Sequence, residues 1–128
     1  MKIGLLTRNP EAWCSSQIRS AVRERGGEPV CFFFNDLSSR LSSTPMISIK
    51  GGVDLTKELN ALIVRPIGRG SLDEVIFRID TLHRLSRAGL PIINPPQAIE
   101  RSVDNFFTLA QLEEAGIRVP RTTVTESP

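Results

Sequence analysis

The sequence predicts an α/β fold in which a mostly parallel sheet of about four strands lies between two layers of helices. Short apolar runs alternate along the chain with longer segments of helical periodicity, and this alternation is typical of parallel sheets. The chain has 128 residues, of which 40% are hydrophobic and 23% charged. That length and composition suit one compact globular domain with a buried core.

The first part of the chain is predicted to form strand, helix and strand in that order. Residues 2–8 are predicted to form a buried first strand that ends at the turn signal Asn9-Pro10. A helix is expected over residues 15–25, because its apolar residues share one face and Gly26-Gly27 would end it. Residues 28–34 are predicted to be the second strand, followed by a loop rich in serine.

The middle of the chain is predicted to contain a hairpin, a strand and a long helix. Residues 46–49 and 53–55 flank Lys50-Gly51-Gly52, which suggests a small hairpin. Residues 61–64 are a buried strand. Ser71 and Glu74 have the spacing of a capping box, and apolar residues follow at helical spacing as far as Gly89.

The last part of the chain is predicted to begin with a strand over residues 90–93. Asn94-Pro95 would then open a short helix, with asparagine as the cap and proline in the first turn. Ser102 or Asp104 is expected to cap a last helix that ends near Gly116, and residues 122–125 are predicted to begin a further strand.

Charge and composition exclude several classes of function. The formal net charge is only +2, which gives no electrostatic basis for binding nucleic acid or a membrane surface. No apolar run approaches the length of a membrane span or of a signal-peptide core, so we expect a cytoplasmic protein. Two cysteines are too few for a disulfide framework, and a single histidine, His83, without an acidic or cysteine cluster predicts no metal site.

The segment that follows the third strand carries the clearest functional signal. Ligands of open parallel sheets bind beyond the carboxyl ends of the strands, where this segment and the residue after the first strand should both lie. Its glycines would let backbone approach a ligand, its arginines suit carboxylate or phosphate, and the amides of the helix that follows favour an anion. The candidate anion-binding residues are Arg8, Arg65, Gly68, Arg69, Gly70 and Ser71. From the residues alone, a glycine turn with two solvated arginines remains the alternative.

Other phosphate-binding and phosphate-accepting motifs are excluded. A dinucleotide-binding fingerprint would require a glycine where the chain has Asp73, and no Gly-Lys-Ser/Thr phosphate loop is present. A receiver domain needs acidic residues after its first strand, whereas this chain has Thr7-Arg8-Asn9.

Several motifs together resemble the RimK-type ATP-grasp ligases. Residues 2–8 resemble the opening strand of that family, which often ends in Ser/Thr-Arg. Gly68-x-Gly70-Ser71, then Arg78 and Leu82-His83, resemble the branch that adds L-glutamate to tetrahydromethanopterin-like cofactors. Residues 94–104 and 112–122 look like the family's hinge into its nucleotide-binding part. The ribosomal-protein branch tends to read Pro-Arg-Ile-Gly where this chain reads Arg65-Pro66-Ile67-Gly68, which favours the cofactor-modifying branch over ribosomal protein modification.

The resemblance implies a Rossmann-like pre-ATP-grasp domain over residues 1–101 and the start of an ATP-grasp domain over 102–128. It implies an ATP-dependent ligase that phosphorylates a carboxylate and lets the amine of L-glutamate attack the acyl phosphate. ATP and Mg²⁺ would be bound by later domains, so we expect no cofactor and no catalytic residue in this chain. Asn105 stands where the family usually has a lysine that contacts the ATP phosphates, which weakens the expectation of nucleotide binding.

The resemblance also implies partners. The expected role is one wall of a site for an acidic acceptor, either a small molecule or a protein C-terminus, completed by the ATP-grasp domain. The alternative is a stand-alone binding or regulatory module without catalysis. A homo-oligomer formed through the apolar residues of the last helix, Phe106, Phe107 and Leu109, is a third prediction.

Overall fold

The computed structural model describes residues 1–127, which form two compact units, Met1–Pro96 and residues 97–127. None of the helices in residues 1–127 combines the length and the apolar character that crossing a membrane would require.

A four-stranded parallel sheet organises the first unit. Its strands are β1 (Lys2–Leu6), β2 (Glu28–Phe32), β6 (Ala61–Val64) and β7 (Ile92–Ile93), in the order β2-β1-β6-β7. All three neighbouring pairs are parallel, with Leu6 opposite both Phe32 and Val64. The predicted α/β fold with a mostly parallel four-stranded sheet is therefore confirmed.

The two crossover helices lie on opposite faces of this sheet. The chain runs from β1 through α1 (Trp13–Glu24) to β2 on one side of β1, and from β6 through α3 (Leu72–Arg87) to β7 on the other side of β6. Because crossovers between parallel strands are right-handed, opposite directions of travel put the two helices on opposite faces. The central pair β1 and β6 is thus the point at which the winding reverses.

Apolar side chains of the sheet and of α3 form the core of this unit. Leu6, Leu62, Leu82 and Leu85 are fully buried. Gly4 lies in the same region, because a methyl group there would lie 2.6 Å from a Leu59 methyl and would have to displace it. The strand centres are thus packed tightly, and polar chemistry is confined to the strand ends.

A small antiparallel sheet is attached to α3. It consists of β3 (Ser38–Ser39), β4 (Ile47–Ile49) and β5 (Val53–Asp54), followed by the four-residue helix α2 (Leu55–Glu58). Arg84 of α3 donates hydrogen bonds to the Ser39 hydroxyl and, at 2.9 Å, to the Arg40 carbonyl. The predicted hairpin is present, and β3 is an additional strand in a segment that was predicted to be loop.

The second unit contains most of α4 (Pro96–Val103) and all of α5 (Asn105–Glu114). Asp104 caps α5 by accepting a 2.9 Å hydrogen bond from the Phe107 amide, and the Thr108 hydroxyl donates to the Arg101 carbonyl. Residues 122–125 lie in no strand, so the strand predicted there is wrong, because none of the segments in residues 1–127 pairs with them. Assignment of residues 102–128 to an ATP-grasp domain stays a prediction.

Candidate functional site

A groove of about 380 Å³ lies at the carboxyl ends of three strands, in the size range of small-molecule pockets. Arg8 follows β1, residues 33–36 follow β2, and Ile67 and Arg69 follow β6. These ends flank the point at which the winding reverses, which is where ligands bind in open parallel sheets. We call this site the carboxyl-end groove; it is lined by Arg8, Phe33, Phe34, Asn35, Asp36, Ile67, Arg69, Glu74 and Arg78.

Arg8 and Gly68 are packed against each other at this groove. Gly68 has a φ of +79°, a conformation that glycine adopts without steric penalty, and a methyl group there would lie 2.8 Å from Arg8 Cδ. The missing side chain of Gly68 thus leaves the space that the Arg8 side chain occupies. Two residues from different predicted segments are brought together in this way.

Arg78 of α3 holds the segment between β6 and α3 in place. Its Nη1 donates hydrogen bonds to the Ile67 carbonyl at 3.0 Å and to the Arg69 carbonyl at 3.1 Å. Its guanidinium carbon lies 5.5 Å from the centre of the Phe34 ring, which is a cation–π distance. The Arg78 side chain is only 11% exposed.

Arg78 was not predicted as a site residue. Apart from its place in the motif that resembles the ligase family, its local signal is the Glu74/Arg78 pair, four residues apart on one helix face. Such pairs are common on exposed helices, so the spacing alone does not indicate a contact with a loop. The Phe34 ring comes from a different strand end, and only the tertiary fold places it under Arg78.

The tip of α3 is closed by its own side chains. The Ser71 hydroxyl accepts a hydrogen bond from the Glu74 amide at 3.3 Å, and the Glu74 carboxylate accepts one from the Ser71 amide at 2.8 Å. The hydrogen bonds that the Ser71 amide and hydroxyl donate to the Glu74 carboxylate, with the nearby Arg78 charge, lower the pKa of Glu74. The predicted capping box is present, and it takes two of the amides that would otherwise face an anion.

The charged side chains of the groove differ in whether they already have a partner in the protein. Three arginines and two acids are among its lining residues. Asp36 accepts a hydrogen bond from the Phe33 amide at 3.0 Å, and Glu74 accepts from Ser71, so both carboxylates have partners in the protein. Within residues 1–127, no carboxylate or carbonyl is paired with the guanidinium of Arg8 or Arg69.

The predicted site residues are therefore only partly brought together. Arg8 and Arg69 line the carboxyl-end groove, and Gly68 contacts Arg8. Gly70 is close to Arg78 and Glu74, whereas Arg65 is not among the residues that line the groove.

The second unit contains Asn105, which is exposed and is the first residue of α5. In residues 1–127, no three histidine, cysteine or acidic side chains cluster in a way that could hold a metal ion.

Sequence comparison relates nearly the whole chain to glutamate ligases. The tetrahydromethanopterin:alpha-L-glutamate ligase of Methanosarcina acetivorans is 34% identical over 132 residues, which cover 98% of this chain and 40% of that protein. The enzyme of the same name from Methanocaldococcus jannaschii is 31% identical over 127 residues, covering 99% of this chain and 41% of that protein. The chain thus spans about 40% of the length of these curated relatives. No family model matches it.

Solved structures of ATP-grasp ligases share the fold. The RimK domain protein ATP-grasp from Sphaerobacter thermophilus aligns with a TM-score of 0.68 at 20% identity, over 94% of this chain and 40% of that one. The ATP-grasp ligase PsnB, complexed with a minimal precursor, aligns with a TM-score of 0.66 at 20% identity, over 94% and 45%. At this level of identity the likeness is one of fold.

Proposed function

We propose that this chain, a partial relative of the RimK-type ATP-grasp α-L-glutamate ligases, uses its carboxyl-end groove to bind an acidic acceptor. The reaction would be ATP-dependent addition of L-glutamate to a carboxylate of that acceptor. In this proposal the chain supplies one wall of the acceptor site, and ATP-grasp domains supply the phosphoryl chemistry. The acceptor would be a small acidic molecule or a protein C-terminus.

The observation that carries the proposal is that two arginine side chains of the groove have no acidic partner among residues 1–127. Arg8 and Arg69 both line it, and neither is paired with a carboxylate or carbonyl in residues 1–127. An arginine fork binds carboxylate through two parallel hydrogen bonds, and such charge-assisted bonds are stronger than neutral ones. Both groove carboxylates already accept hydrogen bonds from the protein backbone, which favours an acidic ligand as the partner of these arginines.

The anion-binding groups in this proposal differ from those predicted from the sequence. The capping box occupies the Ser71 and Glu74 amides and places the Glu74 carboxylate at the helix tip. An anion at that tip would have to replace Glu74, whereas an anion between Arg8 and Arg69 would not. The side chains of the groove, rather than the amides of α3, are therefore proposed as the anion-binding groups.

ATP and Mg²⁺, which the relationship implies, find few suitable groups among residues 1–127. Mg²⁺ is usually held by carboxylates together with phosphate oxygens, and among residues 1–127 no three histidine, cysteine or acidic side chains come together as a metal-holding group. The Asn105 side chain has no positive charge for a phosphate, and its neighbour Asp104 is engaged in capping α5. We therefore assign no step of the phosphoryl transfer to these residues.

Binding of a dicarboxylate peptide tests the proposal directly. The 128-residue chain would be titrated with L-glutamyl-L-glutamate, and arginine Nε–Hε and glycine amide resonances would be followed by NMR. We expect Arg69→Ala to weaken binding about tenfold or more, since hydrogen bonds to charged groups contribute about 1.5–3 kcal/mol. Arg87→Ala is the matched control, because Arg87 is exposed in the last turn of α3 and its loss changes the net charge equally.

Three outcomes are decisive. Shifts at Arg8 and Arg69 that weaken with added salt, and are absent with the neutral diamide analogue of the peptide, would support the proposal. An equal loss of affinity in Arg69→Ala and Arg87→Ala would indicate only general electrostatic attraction and would overturn it. Absence of any shift at Arg8 and Arg69 in the wild-type chain would favour a module with a different ligand.

A further inference from the structure

Arg78 differs from the other two arginines of the groove in how its guanidinium is used. Both of its hydrogen bonds from Nη1 go to backbone carbonyls, those of Ile67 and Arg69. Its Nη2 lies 3.7 Å from Glu74 Oε1, and its guanidinium carbon lies over the Phe34 ring. With 11% of the side chain exposed, little of the Arg78 fork is left for a ligand.

The two carbonyls that Arg78 binds belong to the segment that shapes the groove. Ile67 and Arg69 flank Gly68, whose positive φ turns the chain and whose missing side chain makes room for Arg8. Holding the carbonyls on both sides of Gly68 fixes the direction in which the Arg69 side chain leaves the backbone. It also fixes the surface against which the Arg8 side chain packs.

We propose that Arg78 is a positioning residue that holds residues 67–69 in the conformation which points Arg8 and Arg69 into the carboxyl-end groove. This inference rests on the proposed binding of an acidic acceptor there. Arg78 acts through the backbone carbonyls and through Phe34, and it does not touch the acceptor. A guanidinium suits this role, because its Nη1 donates to two carbonyls while its central carbon lies over the Phe34 ring.

Lysine is the informative substitution at position 78. Arg78→Lys keeps the positive charge, but an ammonium group on a flexible stem has no planar face and no rigid fork. If Arg78 acted only by its charge, Arg78→Lys would bind acidic ligands as the wild type does. If it acts by positioning, Arg78→Lys should lose most of what Arg78→Ala loses.

The test measures affinity, salt dependence and local order in the same set of variants. Wild type, Arg78→Lys, Arg78→Ala and the control Arg87→Lys would be titrated with L-glutamyl-L-glutamate at several salt concentrations. Steady-state ¹H–¹⁵N NOE values of the Arg69 and Gly70 amides would be recorded without ligand, and thermal unfolding would check that each variant folds. Phe34→Leu provides a second route, because it removes the ring under Arg78 and leaves both hydrogen bonds possible.

We expect Arg78→Lys to weaken binding about tenfold, which corresponds to about 1.4 kcal/mol. The NOE values of Arg69 and Gly70 should fall, and the salt dependence of binding should stay that of the wild type, since Arg78 makes no ionic contact with the ligand. Phe34→Leu should show the same changes to a smaller extent. Arg87→Lys should match the wild type in all of these measurements.

The opposite results are equally clear. If the wild type binds and Arg78→Lys binds equally well with unchanged NOE values, the positioning role is overturned while the proposed function stands. A reduced salt dependence in Arg78→Lys, which keeps the positive charge, would make Arg78 a direct ligand contact, and would overturn it too. Loss of folding in both Arg78 variants would make it a stability residue instead. No binding by the wild type removes the proposed function and this inference with it.

Discussion

Replacing Gly68 by alanine should test the contact between Gly68 and Arg8 on which the shape of the groove depends. The substitution does two separable things. It places an L side chain at a φ of +79°, and it puts a methyl group 2.8 Å from Arg8 Cδ. The first is a backbone effect, whereas the second forces the Arg8 side chain to move.

The size of each effect can be derived from the geometry. An L residue in the left-handed region is disfavoured by about 1–2 kcal/mol. The contact at 2.8 Å is well inside the usual carbon–carbon separation of about 3.5–4.0 Å, and moving Arg8 to another rotamer costs roughly 0.5–1.5 kcal/mol. We therefore expect Gly68→Ala to lower the free energy of unfolding by about 1.5–3.5 kcal/mol in total.

Gly26 offers a matched control for the backbone effect. Its φ is +74°, close to that of Gly68, and a methyl group there would meet no atom within 4 Å. Gly26→Ala should thus cost about 1–2 kcal/mol without any steric contribution. Urea unfolding followed by circular dichroism would compare the two substitutions in the wild-type background and in an Arg8→Ala background.

The comparison in the Arg8→Ala background separates the steric effect of Gly68→Ala from its backbone effect. In the Arg8→Ala background the steric part should vanish, so that Gly68→Ala and Gly26→Ala cost the same. If Gly68→Ala stays more costly than Gly26→Ala after Arg8 is truncated, the contact with Arg8 is not the cause of the extra cost. If the two substitutions lower the free energy of unfolding equally while Arg8 is present, the contact with Arg8 contributes nothing and the prediction is wrong.

Three further predictions concern stability. Thr81→Val should raise the free energy of unfolding by about 1 kcal/mol, measured by urea unfolding, because the buried Thr81 hydroxyl has no hydrogen-bond partner among residues 1–127; an unchanged value would contradict this. Since hydrogen bonds from Ser71 lower the pKa of Glu74 in the folded state, its contribution is present at neutral pH and lost in acid. The stability difference between wild type and Glu74→Gln should therefore shrink as the pH falls below about 4.3, the unfolded-state value for glutamate, and a constant difference would refute it. Asp104→Ala should reduce hydrogen-exchange protection of α5 by about 1 kcal/mol, because the Phe107 amide loses its cap; unchanged protection would argue against the cap.

Much of the fold could be predicted because its strands and helices have clear local patterns. The strand over residues 61–64 and the long helix capped by Ser71 were predicted from apolar periodicity and a capping box, and both are present. The serine-rich segment before the hairpin was predicted as loop. It contains β3, which has only two residues and is held by contacts with β4 and with Arg84 of α3. Such distant contacts leave no periodicity in the local sequence.

The groove shows the same division between local and tertiary information. Arg8 and Arg69 could be predicted as its lining residues, because the carboxyl ends of parallel strands mark the ligand-binding edge. The wall that follows β2, with Phe34, was not predicted, since nothing in residues 33–36 alone indicates a binding surface. The capping box and the anion site were both predicted at Ser71. In the structure the Ser71 amide donates a hydrogen bond to the Glu74 carboxylate, so it is not available to an anion.

The opposite placement of α1 and α3 has a consequence for how this fold can diversify. The cleft results from the reversal of winding between β1 and β6 and does not depend on any particular side chain. Three short, separate loops line it. Each loop begins where a packed strand ends, so its residues can be exchanged while the strands keep their partners. A new ligand preference could therefore arise by grafting residues 33–36 from a relative, with the hydrophobic scaffold left as it is.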